Sequence, residues 1–210
     1  MEDVKKGTTT VGIVCKDGIV LAADRRATAG SLIVNRDIEK INRISENMMI
    51  TMAGTVSDAQ LLTKLIKAEI TLKRIRTDRD VTVKEAANLL AGMVYSNIRK
   101  MSLIPGISHF ILGGKDESGF YLFDLYADGS LTLCKDFIAS GSGSVIAYGV
   151  LETLYKDSVT ANDGVKLALK ALTAALRRDS GSGDGVDVYT ITKDGVKKAF
   201  AKHLENQIEE

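Results

Sequence analysis

Short apolar, β-branched segments separated by Asp-Gly pairs constrain the fold of this chain more than any other feature. The first two lie at 8–15 and 19–23, on either side of Asp17-Gly18. Asp-Gly between two such segments predicts a β-hairpin with a type I′ turn, which needs positive φ at both central residues. The apolar residues are nearly continuous, which predicts sheets covered on both faces. Further strands are expected at 32–35, 47–53, 110–114, 119–126, 130–135, 186–192 and 196–201, with Asp-Gly turns at 128–129 and 194–195.

Helical periodicity separates these strands into groups. Capping boxes at 57–60 (SDAQ) and 82–85 (TVKE) predict the starts of two helices, the second of which ends near Pro105, the only proline. Two more helices are expected at 145–155 and 160–178, and a short one at the C-terminus. The buried stripe of the first helix is predicted to consist of Leu61, Leu65, Ala68, Leu72 and Ile75.

The resulting order is strands, two helices, strands, two helices, strands. Because strands are grouped with strands, antiparallel sheets are favoured over βαβ crossovers. The sequence therefore predicts an α+β fold in which two sheets face each other and each carries a helix pair on its outer side. No linker or block of charge divides the 210 residues, so a single domain is expected.

Composition argues against several classes of function. Lys and Arg number 28 against 27 Asp and Glu, so a net charge of +1 provides no field to attract nucleic acid. The two cysteines are far apart and indicate thiols in a reducing compartment rather than a disulfide framework or zinc site. No apolar run approaches the roughly 18 residues of a membrane span, and the charged residues 1–6, which lack an apolar segment, are not expected to form a signal peptide. A cytoplasmic location without nucleic-acid or membrane partners is expected.

Familiar catalytic and cofactor motifs are missing. A Ser-His-Asp triad would need His109 or His203 as its base, and a structural or surface role is favoured for each. The segment 141–146 (GSGSVI) begins like a dinucleotide-binding loop, but Ile146 stands where that fingerprint needs Gly or Ala. With two histidines, metal clusters built on histidine are nearly excluded. No metal and no cofactor are therefore expected.

The segment 7–12 (GTTTVG) is by composition a β-branched strand with a glycine in front. It also resembles the processing site of proteasome β subunits, which cut themselves after a glycine to expose a threonine as the new N-terminus. The resemblance continues, in order, at 23–28 (ADRRAT), 39–41 (EKI), 52–54 (MAG), 58–60 (DAQ), 140–144 (SGSGS), 147–152 (AYGVLE) and 178–183 (RDSGSG). It is of the archaeal type and implies the four-layer αββα sandwich of N-terminal-nucleophile hydrolases, in agreement with the order of elements.

The chemistry of an N-terminal threonine explains why processing matters. A threonine hydroxyl is a poor nucleophile until a base takes its proton, and a free α-amine with a pKa near 8 can be that base. While Gly7 is attached, the nitrogen of Thr8 is an amide and cannot accept the proton. The resemblance thus implies an inactive precursor in which residues 1–7 form a propeptide removed by autoprocessing and 8–210 form one catalytic domain.

Three residues carry the implied reaction. Thr8 would attack the scissile carbonyl, Lys40 would stabilise the developing alkoxide and help move the proton, and Asp24 would hold Lys40 charged and oriented. Without the resemblance, an exposed lysine of a charged loop is the favoured interpretation of Lys40. Asp24, beside two arginines, is likewise open to a role in an ion pair at a strand end.

The other implied site residues lie in loops and at strand ends. The backbone N–H of Gly54 would donate to the oxyanion, whereas Ser142, Asp179 and Ser182 would hydrogen-bond around the Thr8 amine. On composition alone, these glycines and serines also fit ordinary turns and flexible loops. The implied substrate site binds an extended peptide through the backbones of Thr28 and Gly54. Its pocket for the residue before the cut would be lined by Ala27, Met52 and Val56, which favours apolar over acidic residues.

The resemblance implies a threonine endopeptidase that works only in an assembly. Members of this family form two stacked heptameric β rings between heptameric α rings, and the active sites hydrolyse unfolded polypeptides inside a closed chamber. A regulatory unfolding ATPase would feed that chamber through the α ring. Alternative interpretations are a catalytically silent ring subunit, another amidohydrolase with an N-terminal nucleophile, and the bacterial two-ring peptidase of the same superfamily.

Overall fold

A computed structural model describes residues 7–103 and 105–204, which form twelve strands and four helices. The predicted C-terminal helix and the first six residues of the predicted propeptide lie outside the described residues. The strands are β1 (Thr10–Cys15), β2 (Gly18–Asp24), β3 (Ala27–Ala29), β4 (Leu32–Asn35), β5 (Ile41–Arg43), β6 (Met48–Gly54), β7 (Ser108–Asp116), β8 (Gly119–Leu125), β9 (Leu131–Cys134), β10 (Phe137–Ser140), β11 (Gly185–Thr192) and β12 (Gly195–His203). The helices are α1 (Val56–Thr77), α2 (Val83–Ile98), α3 (Ser144–Leu154) and α4 (Ala161–Arg178).

Two five-stranded antiparallel sheets face each other, with strand orders β10-β1-β2-β11-β12 and β5-β6-β7-β8-β9. One apolar cluster lies between the sheets, a second joins the first sheet to α3 and α4, and a third joins the second sheet to α1 and α2. This arrangement confirms the predicted α+β fold with four layers. The hairpin of β3 and β4 forms a separate two-stranded sheet.

Strand β2 shows why the apolar runs are continuous. All seven of its residues are buried. Val20 and Ala22 pack in the cluster with α3 and α4, whereas Ile19, Leu21 and Ala23 pack in the cluster between the sheets. A strand covered on both faces needs apolar residues at every position, as predicted.

The first hairpin is present, but the predicted type I′ turn is wrong. Cys15 pairs with Gly18, so the loop residues are Lys16 and Asp17, and neither has a positive φ. Gly18 instead serves a close approach of strands, because a Cβ there would lie 2.3 Å from the carbonyl oxygen of Ile191 on β11.

Helix α1 starts earlier than predicted and buries a different face. Its N-cap is Thr55, whose side chain makes no capping bond, so the predicted capping box at 57–60 is wrong. The predicted stripe is also wrong, since Leu61 and Ile75 are 49% and 74% exposed. Apolar residues occupy two adjacent faces of this helix, and periodicity alone does not decide which face packs. The buried residues are Ala59, Leu62, Thr63, Ile66 and Ile70.

The other predicted helix starts agree with the structure. The capping box of α2 is confirmed, because Thr82 Oγ1 accepts from Glu85 N at 3.2 Å and Glu85 Oε2 accepts from Thr82 N at 3.0 Å. Thr160 caps α4 by accepting from Asp163 N at 3.1 Å. In the described part of the chain, none of the helices combines the length and the apolar character that a membrane span requires.

Candidate active site

The two sheets bring Thr8, Asp24 and Lys40 together at one end of the interface between them. Thr8 lies two residues before β1 and Asp24 ends β2, and these strands pair with Thr10 opposite Ala23. Lys40 directly precedes β5 of the other sheet, where its carbonyl accepts from Met52 N at 2.9 Å. The site is thus assembled across two layers.

The Lys40 ammonium lies between a carboxylate and a hydroxyl. Its Nζ donates to Asp24 Oδ1 at 2.6 Å and to Thr8 Oγ1 at 2.9 Å. The Lys40 and Asp24 side chains are only 4% and 0% exposed. Thr8 Oγ1 in turn donates to the carbonyl oxygen of Gly7 at 2.6 Å. The hydroxyl therefore lies between a buried cation and the peptide bond that precedes it.

Burial dominates the electrostatics of this pair. It lowers the pKa of Lys40 below the ordinary lysine value, although the Asp24 charge opposes the shift. It raises the pKa of Asp24, against the Lys40 charge and the backbone N–H donors of Thr9 and Gly183, both at 2.9 Å. Lys40 therefore releases a proton more readily than a lysine in water.

A second hydrogen-bond network reaches Thr8 from the helix layer. Thr8 N donates to Ser142 Oγ at 3.2 Å, and Ser142 donates to Asp179 Oδ2 at 2.6 Å. Ser182 donates to the same oxygen at 2.6 Å, so its Oγ accepts from Thr9 Oγ1 at 2.7 Å. Asp179 caps the C-terminus of α4 and Ser142 lies just before α3, so the two helices hold this network in place.

A cavity of about 280 Å³ opens beside Thr8 and Lys40. Its lining includes every residue of the predicted substrate site, namely Ala27, Thr28, Met52, Gly54 and Val56. Gly54 has φ +101°, and a Cβ there would lie 2.2 Å from Ile107 O, so this position needs glycine. Ile38 also lines the cavity and was missed by sequence reasoning. Its only signal is an apolar residue in a charged loop, two positions before Lys40.

The histidines lie outside this site. His109 contacts Asp124 through Nε2, and its Nδ1 lies 2.7 Å from Ser140 Oγ. Ser140 is only 3% exposed within β10, so a substrate carbonyl cannot approach it, and His109 joins β7, β8 and β10 structurally. His203 lies on β12 and contacts Arg25. Across residues 7–103 and 105–204, no cluster of three or more His, Cys, Asp or Glu could hold a metal ion.

Comparison with known families decides what kind of protein carries this site. The family model for the proteasome subunit matches residues 4–191. The chain belongs to the proteasome subunit family.

Archaeal proteins described as proteasome subunit beta resemble this proteasome subunit over most of its length. The protein of Archaeoglobus profundus is 46% identical over 92% of this chain and 88% of its own. That of Methanococcus aeolicus is 45% identical over 93% and 89%, and that of Methanocaldococcus fervens is 41% identical over 99% and 92%. This coverage confirms the resemblance to proteasome β subunits.

All seven predicted catalytic residues of this proteasome subunit lie around Thr8 or line the adjoining cavity, and their roles remain predictions. Sequence reasoning did not anticipate Thr9, which links Asp24 to Ser182. It also missed Arg26, which pairs with Asp184 at 2.7 Å and donates to Ser180 O at 3.0 Å. Arg26 thereby fixes the loop formed by residues 179–184, which carries two of the predicted site residues.

Proposed function

We propose that this chain is the catalytic β subunit of a 20S proteasome core, a threonine endopeptidase that becomes active by cleaving its own Gly7–Thr8 bond. The observation that carries this proposal is the contact of Lys40 Nζ with Thr8 Oγ1 at 2.9 Å, beside a Gly7 carbonyl 2.6 Å from the same hydroxyl. Nucleophile, proton acceptor and scissile carbonyl are then within contact distance in one chain.

Self-cleavage begins with attack of Thr8 Oγ1 on the Gly7 carbonyl carbon. A carbon–oxygen bond forms, the carbon–nitrogen bond breaks, and the hydroxyl proton passes by way of Lys40 to the leaving nitrogen. The product is an ester between Gly7 and the Thr8 side chain, with a free amine on Thr8. Water then hydrolyses the ester, which leaves a carboxylate on Gly7 and restores the Thr8 hydroxyl.

The processed enzyme uses the same groups on a substrate peptide. The Thr8 hydroxyl attacks the substrate carbonyl while its proton passes to the new amine, assisted by Lys40. The Gly54 N–H stabilises the oxyanion, and water hydrolyses the acyl ester. Ser142, which lies 3.2 Å from the nitrogen of Thr8, connects the amine to Asp179 and Ser182.

The cavity favours substrates with an apolar residue before the cut. Ala27, Ile38, Met52 and Val56 provide an apolar lining, while the two cations of the lining, Arg26 and Lys40, are paired with Asp184 and Asp24. An acidic side chain would therefore lose its hydration without gaining a free cation. Fluorogenic peptides with Leu or Tyr before the reporter should be cleaved at least about tenfold more efficiently than the Glu peptide. Preferential cleavage after Glu would contradict this assignment.

Assembly into rings is part of the same proposal. The relatives are named proteasome subunits, and the chain exposes large apolar side chains, including Leu61, Leu65, Ile75, Met101 and Leu103, that a solitary chain would leave in water. We expect two stacked heptameric β rings between heptameric α rings in the cytoplasm. An unfolding ATPase acting through the α ring would supply unfolded polypeptides to the enclosed sites.

The decisive experiment compares wild type with Thr8→Ala and Thr8→Ser, each purified as the assembly it forms. N-terminal sequencing should find that wild type starts at Thr8, that Thr8→Ser is processed more slowly, and that Thr8→Ala retains the residues before position 8. An epoxyketone probe should label Thr8 in wild type and nothing at that position in Thr8→Ala. Peptide hydrolysis at the wild-type rate by Thr8→Ala would show that the chain is a silent subunit or uses another nucleophile.

A further inference from the structure

We infer that Gly181 is a positioning residue for self-cleavage that peptide turnover does not need. Because neither Gly7 nor Gly181 has a side chain, their backbones lie in contact, and this contact keeps the Gly7 carbonyl beside the Thr8 hydroxyl. This inference rests on the proposed function and adds to it a residue that distinguishes the reaction of the precursor from that of the processed enzyme.

The two glycines are in backbone contact, and neither has room for a side chain. A Cβ on Gly7 would lie 2.0 Å from Gly181 Cα and 2.3 Å from Gly181 O. A Cβ on Gly181 would lie 2.3 Å from Gly7 Cα. Real Cβ atoms do not approach other atoms so closely, and the atoms they meet belong to the backbone. A methyl group on either residue must therefore move one backbone segment away from the other.

The segment that moves is the one that carries Gly7. Gly181 lies in the 179–184 loop, which is held by Arg26 on Ser180 O at 3.0 Å and by Gly183 N on Asp24 at 2.9 Å. The loop is also tied to its own Asp179, which accepts from Gly181 N at 3.2 Å. Apart from the hydrogen bond that its carbonyl accepts from Thr8 Oγ1, Gly7 is held among the described residues by Thr28 Oγ1, which accepts from Gly7 N at 2.9 Å.

Displacement of Gly7 affects the reacting atoms directly. The Gly7 carbonyl oxygen lies 2.6 Å from Thr8 Oγ1 because residue 7 sits against the loop. A methyl group at position 181 pushes this carbonyl away from the hydroxyl, and misplacement of about 1 Å slows such a reaction by roughly a hundredfold.

Cleavage removes the obstacle. Once residue 7 has left, the nearest described atom that remains to a Cβ at position 181 is Ser142 Oγ at 3.1 Å, a contact that a shift of a few tenths of an ångström relieves. Gly181 does not have a positive φ, so alanine fits its backbone conformation without strain. The same substitution is therefore obstructive in the precursor and tolerated after processing.

The test uses Gly181→Ala in two formats, the full chain and a chain that starts Met-Thr8. Both are purified as the assembly that the chain forms. In the full chain, a time course of intact mass should show Gly7–Thr8 cleavage slowed at least tenfold. In a chain that starts Met-Thr8, the host aminopeptidase exposes Thr8 independently, and kcat/KM for an apolar fluorogenic peptide should stay within threefold of wild type in the same format. Gly92→Ala is the matched control, because a Cβ at that glycine meets nothing within 4 Å.

A reciprocal variant keeps the inference testable should Gly181→Ala fold poorly. Gly7→Ala should also be cleaved at least tenfold more slowly, yet its processed product has the same sequence as wild type. Cleavage of either variant at the wild-type rate, or an equal loss of activity by Gly181→Ala in both formats, overturns the inference. A wild-type chain that hydrolyses peptides while its Gly7–Thr8 bond stays intact overturns the proposed function instead.

Discussion

Two buried ion pairs begin at neighbouring residues of the chain and are built in opposite ways. Asp24 pairs with Lys40 through one hydrogen bond of 2.6 Å. The next residue, Arg25, binds Asp187 through two, from Nε at 2.8 Å and from Nη2 at 2.6 Å. Both pairs lie almost entirely out of water, so burial alone does not distinguish a reactive pair from a structural one.

The difference lies in what surrounds each cation. Each nitrogen of the Arg25 guanidinium has a partner, because the third, Nη1, donates to Asp37 at 2.8 Å and also contacts His203. Lys40 divides its donors between a carboxylate and the hydroxyl of Thr8. The Arg25 guanidinium does not release a proton, whereas the Lys40 ammonium lies beside the Thr8 hydroxyl. We therefore expect Lys40→Arg and Arg25→Lys to have unequal consequences.

Lys40→Arg should have the largest effect. Arginine keeps the charge beside Asp24, but it stays protonated at any accessible pH and cannot accept the Thr8 proton. We expect self-cleavage and peptide hydrolysis to fall by about a thousandfold, measured by intact mass and with a fluorogenic peptide. Circular dichroism and the unfolding midpoint provide the control for folding. Processing at the wild-type rate would show that Lys40 does not move the proton.

The pH dependence of self-cleavage should be the next largest effect. Below its pKa Lys40 is charged and cannot accept the proton, so the rate should rise about tenfold per pH unit until that pKa is reached. Because burial lowers the pKa of Lys40, the rise should level off below the ordinary lysine value of about 10.4. Intact-mass time courses at increasing pH, with Lys40→Arg as the control, measure this profile. A rate independent of pH would contradict a proton-accepting Lys40.

Arg25→Lys should reduce stability and spare the chemistry. Lysine cannot reproduce the two-pronged contact with Asp187, so part of that buried carboxylate loses its partner. We expect the free energy of unfolding to drop by about 1–3 kcal/mol in denaturant titrations, with peptide hydrolysis by the folded assembly within a few-fold of wild type. A large loss of kcat at unchanged stability would place Arg25 in the reaction instead.

An exposed ion pair completes the comparison with the smallest effect. Glu85 binds Arg79 at 2.6 Å and Lys73 at 3.0 Å, and the hydrogen bond from Arg79 lowers the pKa of Glu85. Glu85→Gln keeps an acceptor for Thr82 N, so the free energy of unfolding should change by less than about 1 kcal/mol, measured by denaturant titration. The difference from wild type should shrink further in high salt. A larger decrease in the free energy of unfolding that does not depend on salt would show that the exposed pair behaves like a buried one.

Sequence reasoning predicted the architecture well because the information is local. Strand grouping and the capping box at Thr82 follow from residues close in sequence. The same reasoning failed where tertiary contact decides. Gly18 marks a strand approach instead of a turn, and α1 packs on the face next to the predicted one. Neither choice is visible without the partner strand or sheet.

In the candidate site, too, sequence reasoning succeeded for local motifs and failed where tertiary contacts decide. The motifs that resemble those of proteasome β subunits named Thr8, Asp24 and Lys40, which the structure brings into direct contact. They did not name Ile38 or Gly181, whose positions matter only through neighbours far away in the chain. A residue that acts by leaving space has no chemical signature in a single sequence.

The 2.6 Å contact between Thr8 and Gly7 has a kinetic consequence. If the bond is cut by the hydroxyl beside it, maturation is a first-order event within each molecule. For chains in the same state of assembly, its half-time is then the same in dilute and concentrated samples, and an added mature copy cannot accelerate it. Each chain can undergo the change once and cannot reverse it.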